Sequence, residues 1–156
     1  HATKLFLKYQ KNKFNNLLIF LADTPFISLG DISKIKKKIV NSDLVIFGFR
    51  SKKNMSYGLI QKDKSGNVKK IIEYKNASSY EKKISLCNSG VMAVNKKNIK
   101  NLFKIKKNKR LNEYLLTDIV EITKKLKGNV SCVISQKSKN NRGINTINEY
   151  FKAKNL

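Results

Sequence analysis

A run of five large apolar residues that ends near a carboxylate constrains the fold of this chain more than any other feature. Residues 17–21 read Leu-Leu-Ile-Phe-Leu, and Asp23 follows after a single alanine. A continuous apolar run of this length is typical of a strand buried on both faces, as in a parallel sheet covered by helices. Ligands of such sheets collect outside the carboxyl ends of the strands. The run therefore predicts an α/β fold with Asp23 at the ligand-binding edge.

Asp23 has two interpretations that the residues leave open. Pro25, the only proline in the chain, fixes the backbone where the strand must turn and would hold Asp23 in one direction. In that setting the carboxylate either binds a metal ion or a hydroxyl group, or it only caps the turn, because Asp and Pro are both ordinary turn residues.

Composition indicates one globular domain. The chain has 156 residues, of which 40% are hydrophobic, enough for a single core over residues 1–156. No apolar run approaches the roughly 18 residues of a membrane span. The start at His1 has no initiator methionine and no signal-peptide pattern, which indicates an internal fragment. Cys87 and Cys132 lie far apart in apolar stretches, so we expect buried thiols of a cytoplasmic protein, without a disulfide framework or a zinc site.

The net charge of +24 has two interpretations. An excess of 34 basic over 10 acidic residues would suit a nucleic-acid-binding protein. The lysines are nevertheless spread along the whole chain, and the clusters at 36–38, 106–107 and 124–125 fall on the polar faces of predicted helices. This distribution favours solvated lysine faces without a specific nucleic-acid partner. A basic, non-catalytic nucleic-acid-binding domain remains the alternative from another functional class.

The first third of the chain predicts a strand, a helix and a strand. An amphipathic helix over 3–14 precedes the apolar strand. Ser28-x-x-Asp31 then has the form of a capping box, and isoleucines at helical spacing continue from it. Residues 44–49 form a second buried strand. This alternation favours a parallel sheet.

The rest of the chain adds a hairpin and a closing α/β unit. Strands at 57–62 and 68–74 are joined through a turn that contains Gly66. Residues 79–83 form one helical turn, and a strand over 85–95 contains Asn88-Ser89-Gly90, a polar break that marks a bulge or a close ligand. The remaining elements are helices at 97–104 and 113–126, the second ended by Gly128, then a strand at 130–135, a polar turn at 142–146 and a helix at 147–154.

Six segments, in one order along nearly the whole chain, resemble a known family. Residues 21–28 (LADTPFIS) resemble its Y-G-D-x-P-L-I-S, residues 56–60 (SYGLI) its G-Y-G-R-I, and residues 71–77 (IIEYKNA) its I-V-E-x-K-D-A. Residues 87–90 (CNSG) resemble I-N-T-G, residues 112–119 (NEYLLTDI) G-E-Y-Y-L-T-D-I, and residues 143–146 (GINT) G-V-N-N. The family is the uridyltransferase domain of the bacterial bifunctional N-acetylglucosamine-1-phosphate uridyltransferase, with the sugar nucleotidyltransferases more widely.

The resemblance implies a fold and a place within it. The fold is Rossmann-like, with a mostly parallel, mixed sheet flanked by helices and a β-hairpin insertion. Residues 1–156 would form the carboxyl-terminal two-thirds of the domain, incomplete at its N-terminus. The family begins with a glycine-rich phosphate loop, and of its later Q-x-G-T-x-H-A segment only His1 and Ala2 match. The acetyltransferase β-helix that follows in the bifunctional enzyme has no counterpart here.

The implied activity is the transfer of UMP from UTP to N-acetylglucosamine 1-phosphate. The products are UDP-N-acetylglucosamine, a cytoplasmic precursor of peptidoglycan and the cell wall, and pyrophosphate. The partners are thus a nucleoside triphosphate and a sugar 1-phosphate, and Mg²⁺ is the cofactor. Because the phosphate loop has no counterpart, we expect residues 1–156 alone to be inactive. The resemblance leaves open that copies of the full-length protein form a homo-oligomer.

The resemblance also assigns roles to single residues. Asp23 and Asn145 are the Mg²⁺ ligands, since Mg²⁺ prefers hard oxygen ligands and retains several waters. Gly58 lets the backbone approach the sugar, Glu73 accepts its hydroxyls and Asn88 contributes its amide.

Three further residues complete the implied site. Leu21 and Ala22 line the nucleotide through their backbone groups. Lys75 matches the family's E-x-K and, with Asp23, is the implied catalytic pair, acting on a phosphate. The other interpretation of Lys75, an ordinary surface lysine, has equal weight.

Several positions depart from the family pattern. Leu21 and Ala22 replace Tyr-Gly, Leu59 replaces an arginine, Asn112 a glycine and Thr146 an asparagine. These differences leave the nucleotide and the sugar open. The alternative is another nucleotidyltransferase of the same fold, acting on a different sugar phosphate or on a cofactor precursor.

Overall fold

The computed structural model describes residues 1–10, 14–24, 27–51, 57–109, 112–136, 143–144 and 146–154. The helices are α1 Ala2–Tyr9, α2 Leu29–Ile39, α3 Lys96–Ile99, α4 Asp118–Lys125 and α5 Ile147–Lys154. The strands are β1 Asn16–Ile19, β2 Leu44–Arg50, β3 Gly58–Lys62, β4 Val68–Glu73, β5 Leu86–Asn95, β6 Lys107–Asn108, β7 Glu113–Tyr114 and β8 Val130–Ile134. Turns of 3₁₀ helix lie at Tyr74–Asn76, Glu81–Lys83 and Lys100–Lys104.

Six strands form one mixed sheet around β5. The order is β4-β3-β5-β2-β8, and β1 also pairs with β5. β1, β2 and β3 each run antiparallel to β5, and β8 runs parallel to β2. Four strands, β1, β2, β3 and β8, therefore share one direction, whereas β5 and β4 run the other way. The predicted parallel relation of β1 and β2 holds, but β5 lies between them, so most neighbouring pairs are antiparallel.

Helices cover both faces of the sheet, as the alternation along β2 shows. Leu44 and Ile46 pack into the cluster that contains Ile119 of α4, whereas Val45 and Phe47 pack into the cluster that contains Ile35 of α2. Side chains of a strand alternate between its two faces, so only a strand covered twice can bury every one of them. Six of the seven β2 residues are buried. The predicted α/β fold, with a mixed sheet between helices and a β3–β4 hairpin, is confirmed.

The N-terminus of α2 is fixed as the capping box predicts. The Ser28 hydroxyl accepts a hydrogen bond from the Asp31 N–H at 3.1 Å and donates to the Asp31 carboxylate at 2.9 Å. The Ser135 hydroxyl, next to β8, donates to the same carboxylate at 3.2 Å. Asp31 is buried, so its carboxylate both caps α2 and ties the helix to the sheet.

Three predictions about elements need correction. β1 is only half-buried, with Phe20 and Leu21 exposed beyond its end, because only β5 pairs with it within the described residues. The helix expected over 113–126 begins at Asp118, since residues 113–114 pair with β6. The lysine pair 106–107 is exposed but lies at this small hairpin, not on a helix.

The end of α4 also differs from expectation. Lys127, with φ of +58°, takes the left-handed position after the helix that was expected of Gly128. Gly128 is required for space instead, since a Cβ there would lie 2.7 Å from Thr123 Cγ2. Of the thiols, Cys87 is buried and Cys132 half-buried; the two are not joined in a disulfide, and burial raises the pKa of Cys132 to about 11. None of the helices in the described part of the chain combines the length and hydrophobicity that crossing a bilayer requires.

Candidate functional site

The site lies where one edge of β5 changes partner. β2 pairs with the opposite edge of β5 from Leu86 to Val94, so β1 and β3 must share the remaining edge. β3 uses it at Cys87 and β1 from Met92 onward. A cleft of about 400 Å³ opens beside residues 88–90, between the end of β1 and the start of β3. The fold thus places the sequence's polar break in the floor of a cleft.

A bulge shapes this floor. Ile46 pairs with Met92 and Gly48 with Asn88, so Phe47 alone faces residues 89–91 of β5. The predicted interruption of this strand is thereby confirmed as a bulge. Such an insertion bends the strand and redirects side chains, and bulges are frequent beside active sites.

Gly90 permits close packing of the β1 end onto the bulge. Its φ is +83°, a conformation that favours glycine. A Cβ at this position would lie 2.2 Å from Leu21 Cδ1, so the leucine occupies the space that any other residue would fill. Leu21, Gly90 and Met92 all line the cleft. Leu21 therefore contributes its side chain to the cleft wall, in addition to the backbone groups that were expected of it.

Three residues expected to bind the sugar converge at the other side of the cleft. Gly58 and Glu73 face each other across the β3–β4 ladder, and Asn88 lies on the adjoining strand. A Cβ at Gly58 would be 3.7 Å from Glu73 Oε1 and 3.8 Å from Asn88 Cβ. The nearest atom to such a Cβ would be Ile71 Cγ2, at 2.8 Å, so Gly58 is required for packing on the hairpin and lies beside both a carboxylate and an amide. The structure brings these residues together, although they lie 15 to 30 positions apart in sequence.

Asp23 lies in the turn after β1 and lines the same cleft. The neighbouring Thr24 hydroxyl donates to the Leu21 carbonyl at 2.9 Å, which stabilises the turn. The Asp23 carbonyl accepts from the Ile144 N–H at 2.8 Å, so the segment at 143–144 is held beside the turn. Pro25 and Asn145, the other two residues predicted to act here, lie outside the described residues.

One carboxylate oxygen of Asp23 is unpaired. Asp23 Oδ1 is buried and has no hydrogen-bond partner among the described residues. A buried, unpaired polar atom is costly, so it indicates a position that a donor or a cation would occupy. This fits a ligand role better than a turn cap, which would use the carboxylate for hydrogen bonds within the turn.

The charge of the cleft is opposite to that of the chain. Asp23 and Glu73 line it, and the described residues of its wall include no lysine or arginine. The part of the chain that the structure describes contains no cluster of three His, Cys, Asp or Glu side chains. A cation at Asp23 would therefore take most of its ligands from water and phosphate, a coordination that suits Mg²⁺.

The wall opposite the bulge was not assigned to the site from sequence. It consists of residues 114–117, which run from the last residue of β7 to the start of α4. The signal was present, because these residues belong to one of the six resembling segments, but helical periodicity assigned them to a helix. Asp118 starts α4 directly after this wall, and burial, followed by the charge of Glu121, raises the pKa of Asp118.

Lys4 of α1 holds this wall from behind. Its ammonium lies 4.4 Å from the centre of the Tyr114 ring and donates to the Ile105 carbonyl at 2.5 Å.

Two predicted residues take no part in the described cleft wall. Ala22 and Lys75 are both exposed and do not line it.

Sequence comparison finds relatives among curated proteins, although no protein-family profile matches the chain. The bifunctional protein GlmU of Bartonella bacilliformis is 37% identical over 145 residues, which cover 92% of this chain and 32% of that protein. GlmU of Rhodopseudomonas palustris (strain TIE-1) is 39% identical over 135 residues, 85% of this chain and 29% of the relative. The chain thus spans about a third of the length of the curated relatives it matches.

Solved structures share the fold at low sequence identity. A nucleoside-diphosphate-sugar pyrophosphorylase from Vibrio cholerae RC9 matches with a TM-score of 0.66 at 13% identity, over 98% of this chain and 61% of that one. HddC from Yersinia pseudotuberculosis, complexed with GMP-PN, matches with a TM-score of 0.63 at 20% identity, over 97% of this chain and 59% of that one. The resemblance predicted from the six segments is confirmed, and the chain is similar to the GlmU proteins over about a third of their length.

Proposed function

We propose that this chain carries the sugar-phosphate side of a nucleotidyltransferase that transfers UMP from UTP to N-acetylglucosamine 1-phosphate. The observation that carries the proposal is the convergence of Gly58, Glu73 and Asn88 with the unpaired Asp23 in one cleft. The relationship to GlmU proteins supports the nucleotidyltransferase class. In this proposal residues 1–156 are the carboxyl-terminal two-thirds of a cytoplasmic nucleotidyltransferase domain.

The sugar would lie over Gly58. The Glu73 carboxylate accepts hydrogen bonds from sugar hydroxyls, and the Asn88 amide donates to an oxygen of the substrate. In this proposal the sugar approaches the backbone of β3 at Gly58, which lines the cleft together with both groups. Hydrogen bonds to a carboxylate are stronger than those between neutral groups, which makes Glu73 the main contributor to affinity.

A cation at Asp23 would allow an anionic substrate into a cleft that two carboxylates line. Bound Mg²⁺ supplies charge neutralisation for the phosphates and aligns them for in-line displacement. Asp23 and Asn145 would be its protein ligands, and the hydrogen bond between Ile144 and the Asp23 carbonyl supports this, since Ile144 directly precedes Asn145. We further propose that Leu21 and Ala22 contact the nucleotide through their backbones and that Lys75 meets a phosphate when substrates bind.

Binding of the sugar phosphate tests the proposal on the chain itself, because the residues assigned to the sugar all lie within it. We expect calorimetric titration to show that N-acetylglucosamine 1-phosphate binds more tightly with Mg²⁺ than without it. Glu73→Gln should weaken binding by about 10- to 100-fold, the range for a hydrogen bond to a charged group. Glu121→Gln, the same change at an exposed position of α4, is the matched control and should leave affinity unchanged.

Competing substrates define the other outcomes. Tighter binding of a different sugar 1-phosphate would keep the nucleotidyltransferase class and replace the proposed sugar. No binding of any sugar phosphate, with or without Mg²⁺, would overturn the proposal.

A further inference from the structure

The bulge in β5 depends on one buried hydroxyl group. Ser89 donates to the Phe47 carbonyl at 2.8 Å and accepts from the Val91 N–H at 3.2 Å. These two backbone groups lie where the ladder between β2 and β5 shifts register, so the hydroxyl replaces strand pairing for both. Ser89 is only 6% exposed. Removing the hydroxyl would leave two backbone groups unpaired in a place that water reaches poorly.

The residues beside Ser89 set the direction of the Asn88 side chain. The Gly90 N–H donates to Asn88 Oδ1 at 3.1 Å, so the amide oxygen is held by the bulge. The amide nitrogen is then left to donate to a ligand in the cleft, which Asn88 lines. This arrangement exists only while residues 88–91 keep the bulged path that Ser89 stabilises.

We infer that Ser89 is a positioning residue for Asn88 and so determines how tightly the sugar binds, an inference that rests on the proposed function. Ser89 does not line the cleft through a group that is free to bind, because its hydroxyl is engaged with Phe47 and Val91. Ser89 can therefore affect sugar binding only by stabilising the bulge. The bound state requires an ordered Asn88 amide. If the bulge is loosened, binding of the sugar must order it again, and the free energy that this costs lowers the affinity.

A second buried serine allows this role to be separated from simple stability. Ser42, also 6% exposed, donates to the Ser131 hydroxyl at 2.9 Å beside the start of β2, away from the cleft. Ser42→Ala removes a buried hydrogen bond without touching the bulge. It is therefore the matched control for Ser89→Ala, and the two melting temperatures show how far each variant is destabilised.

The test combines an NMR signature with binding. In Ser89→Ala we expect the Gly90 N–H, which donates to Asn88 Oδ1, to exchange at least ~10-fold faster with solvent, since one unpaired backbone group is worth about that factor. The Kd for N-acetylglucosamine 1-phosphate should rise by a similar factor. Ser89→Thr, which keeps the hydroxyl, should restore both values, and Ser42→Ala should change neither. If threonine does not fit, Ser89→Cys keeps a weaker donor and should give an intermediate exchange rate.

The outcomes separate this inference from the proposed function. A Ser89→Ala protein in which either the Gly90 N–H exchange rate or the Kd is unchanged would overturn the inference while sugar binding stands. Equal effects from Ser42→Ala would also overturn it, because stability alone would then explain the result. If the wild-type chain binds no sugar phosphate, the proposed function fails, and the exchange rate of the Gly90 N–H still shows whether Ser89 positions the Asn88 amide.

Discussion

At the scale of single residues, the position of Asp23 decides how the cleft can work. Its Oδ1 atom is buried without a partner among the described residues, although the turn around it is already stabilised by Thr24. A carboxylate that only capped this turn would be redundant there. The proposed cation would offset this charge in a cleft that receives two anionic substrates.

Replacing Asp23 should therefore affect catalysis more than binding. In a protein that carries residues 1–156 behind the phosphate loop of the family, we expect Asp23→Asn to lower kcat by about 10²- to 10³-fold, the scale for deletion of a transition-state electrostatic contact. The Mg²⁺ concentration that gives half-maximal rate should rise as well. Asp43→Asn is the matched control, since Asp43 accepts from the Asn129 N–H at 2.8 Å away from the cleft. An Asp23→Asn enzyme with unchanged Mg²⁺ dependence would restore the turn-cap interpretation.

Two glycines with positive φ separate conformational strain from crowding. Gly66 has a φ of +81° with open space where a Cβ would stand, whereas Gly90, at +83°, has Leu21 there. Gly66→Ala should cost about 1–2 kcal/mol from backbone strain alone. Gly90→Ala adds overpacking and should cost about 2–5 kcal/mol. Adding Leu21→Ala to the Gly90→Ala variant should recover part of that loss, in comparison with Leu21→Ala alone. Urea unfolding of the four variants measures these differences, and equal costs at the two glycines would show that Leu21 moves aside freely.

At the scale of elements, the sequence predicts those whose signal is local. The α2 cap depends on Ser28 and Asp31, three residues apart, and both were recognised. The burial of β1 was overestimated because burial depends on what covers a strand, and a run of apolar residues does not specify its neighbours. Residues 113–114 were assigned to a helix because pairing with β6 is a tertiary contact that competes with helical periodicity.

The convergence at the cleft could not be derived from the pattern of residues alone. Gly58, Glu73 and Asn88 become neighbours only through the register of β3, β4 and β5, which no local signal in the sequence specifies. The resemblance to a family supplied their grouping. It did not supply the hydrogen bonds of Ser89 or the packing of the Leu21 side chain against Gly90, since both depend on distances in the folded chain.

The 3₁₀ turn Glu81–Lys83 predicts a pH effect on stability. Hydrogen bonds from Ser78, first from its N–H, and from Lys70 lower the pKa of Glu81 from 4.5 to about 2. The folded state therefore favours the ionised carboxylate. Its stabilising contribution is present above the ordinary pKa of about 4.5 and is lost as pH falls toward 2.

Comparison with Glu81→Gln isolates this contribution. The difference in melting temperature between the wild type and the variant should be constant above about pH 5.5 and should shrink as pH falls from 4.5 toward 2. Glu121→Gln, whose partner Lys125 lies 3.9 Å away on the surface of α4, is the control and should show a smaller change. A difference between the wild type and Glu81→Gln that does not vary with pH would mean that the contacts of Glu81 do not depend on its charge.

At the scale of the whole molecule, the net charge and the cleft are separate features. The chain carries +24, yet the described residues of the cleft wall contain carboxylates and no lysine or arginine. The clusters at 36–38 and 124–125 lie on exposed helix positions, so the positive charge is a property of the outer surface. Such a surface attracts any polyanion through its phosphates without reading sequence.

Binding to duplex DNA should accordingly depend on salt and not on sequence or on the cleft. If about 6–10 phosphates are contacted, affinity should fall by about 10³- to 10⁵-fold between roughly 50 and 200 mM salt, because counterion release is its only source. Fluorescence anisotropy with duplexes of unrelated sequence should give the same Kd at each salt concentration. At a constant Mg²⁺ concentration, adding saturating N-acetylglucosamine 1-phosphate should not displace the DNA, since the two ligands would use different surfaces. A sequence-selective complex that persists at about 150 mM salt, or one that the sugar phosphate displaces, would instead favour a nucleic-acid-binding domain.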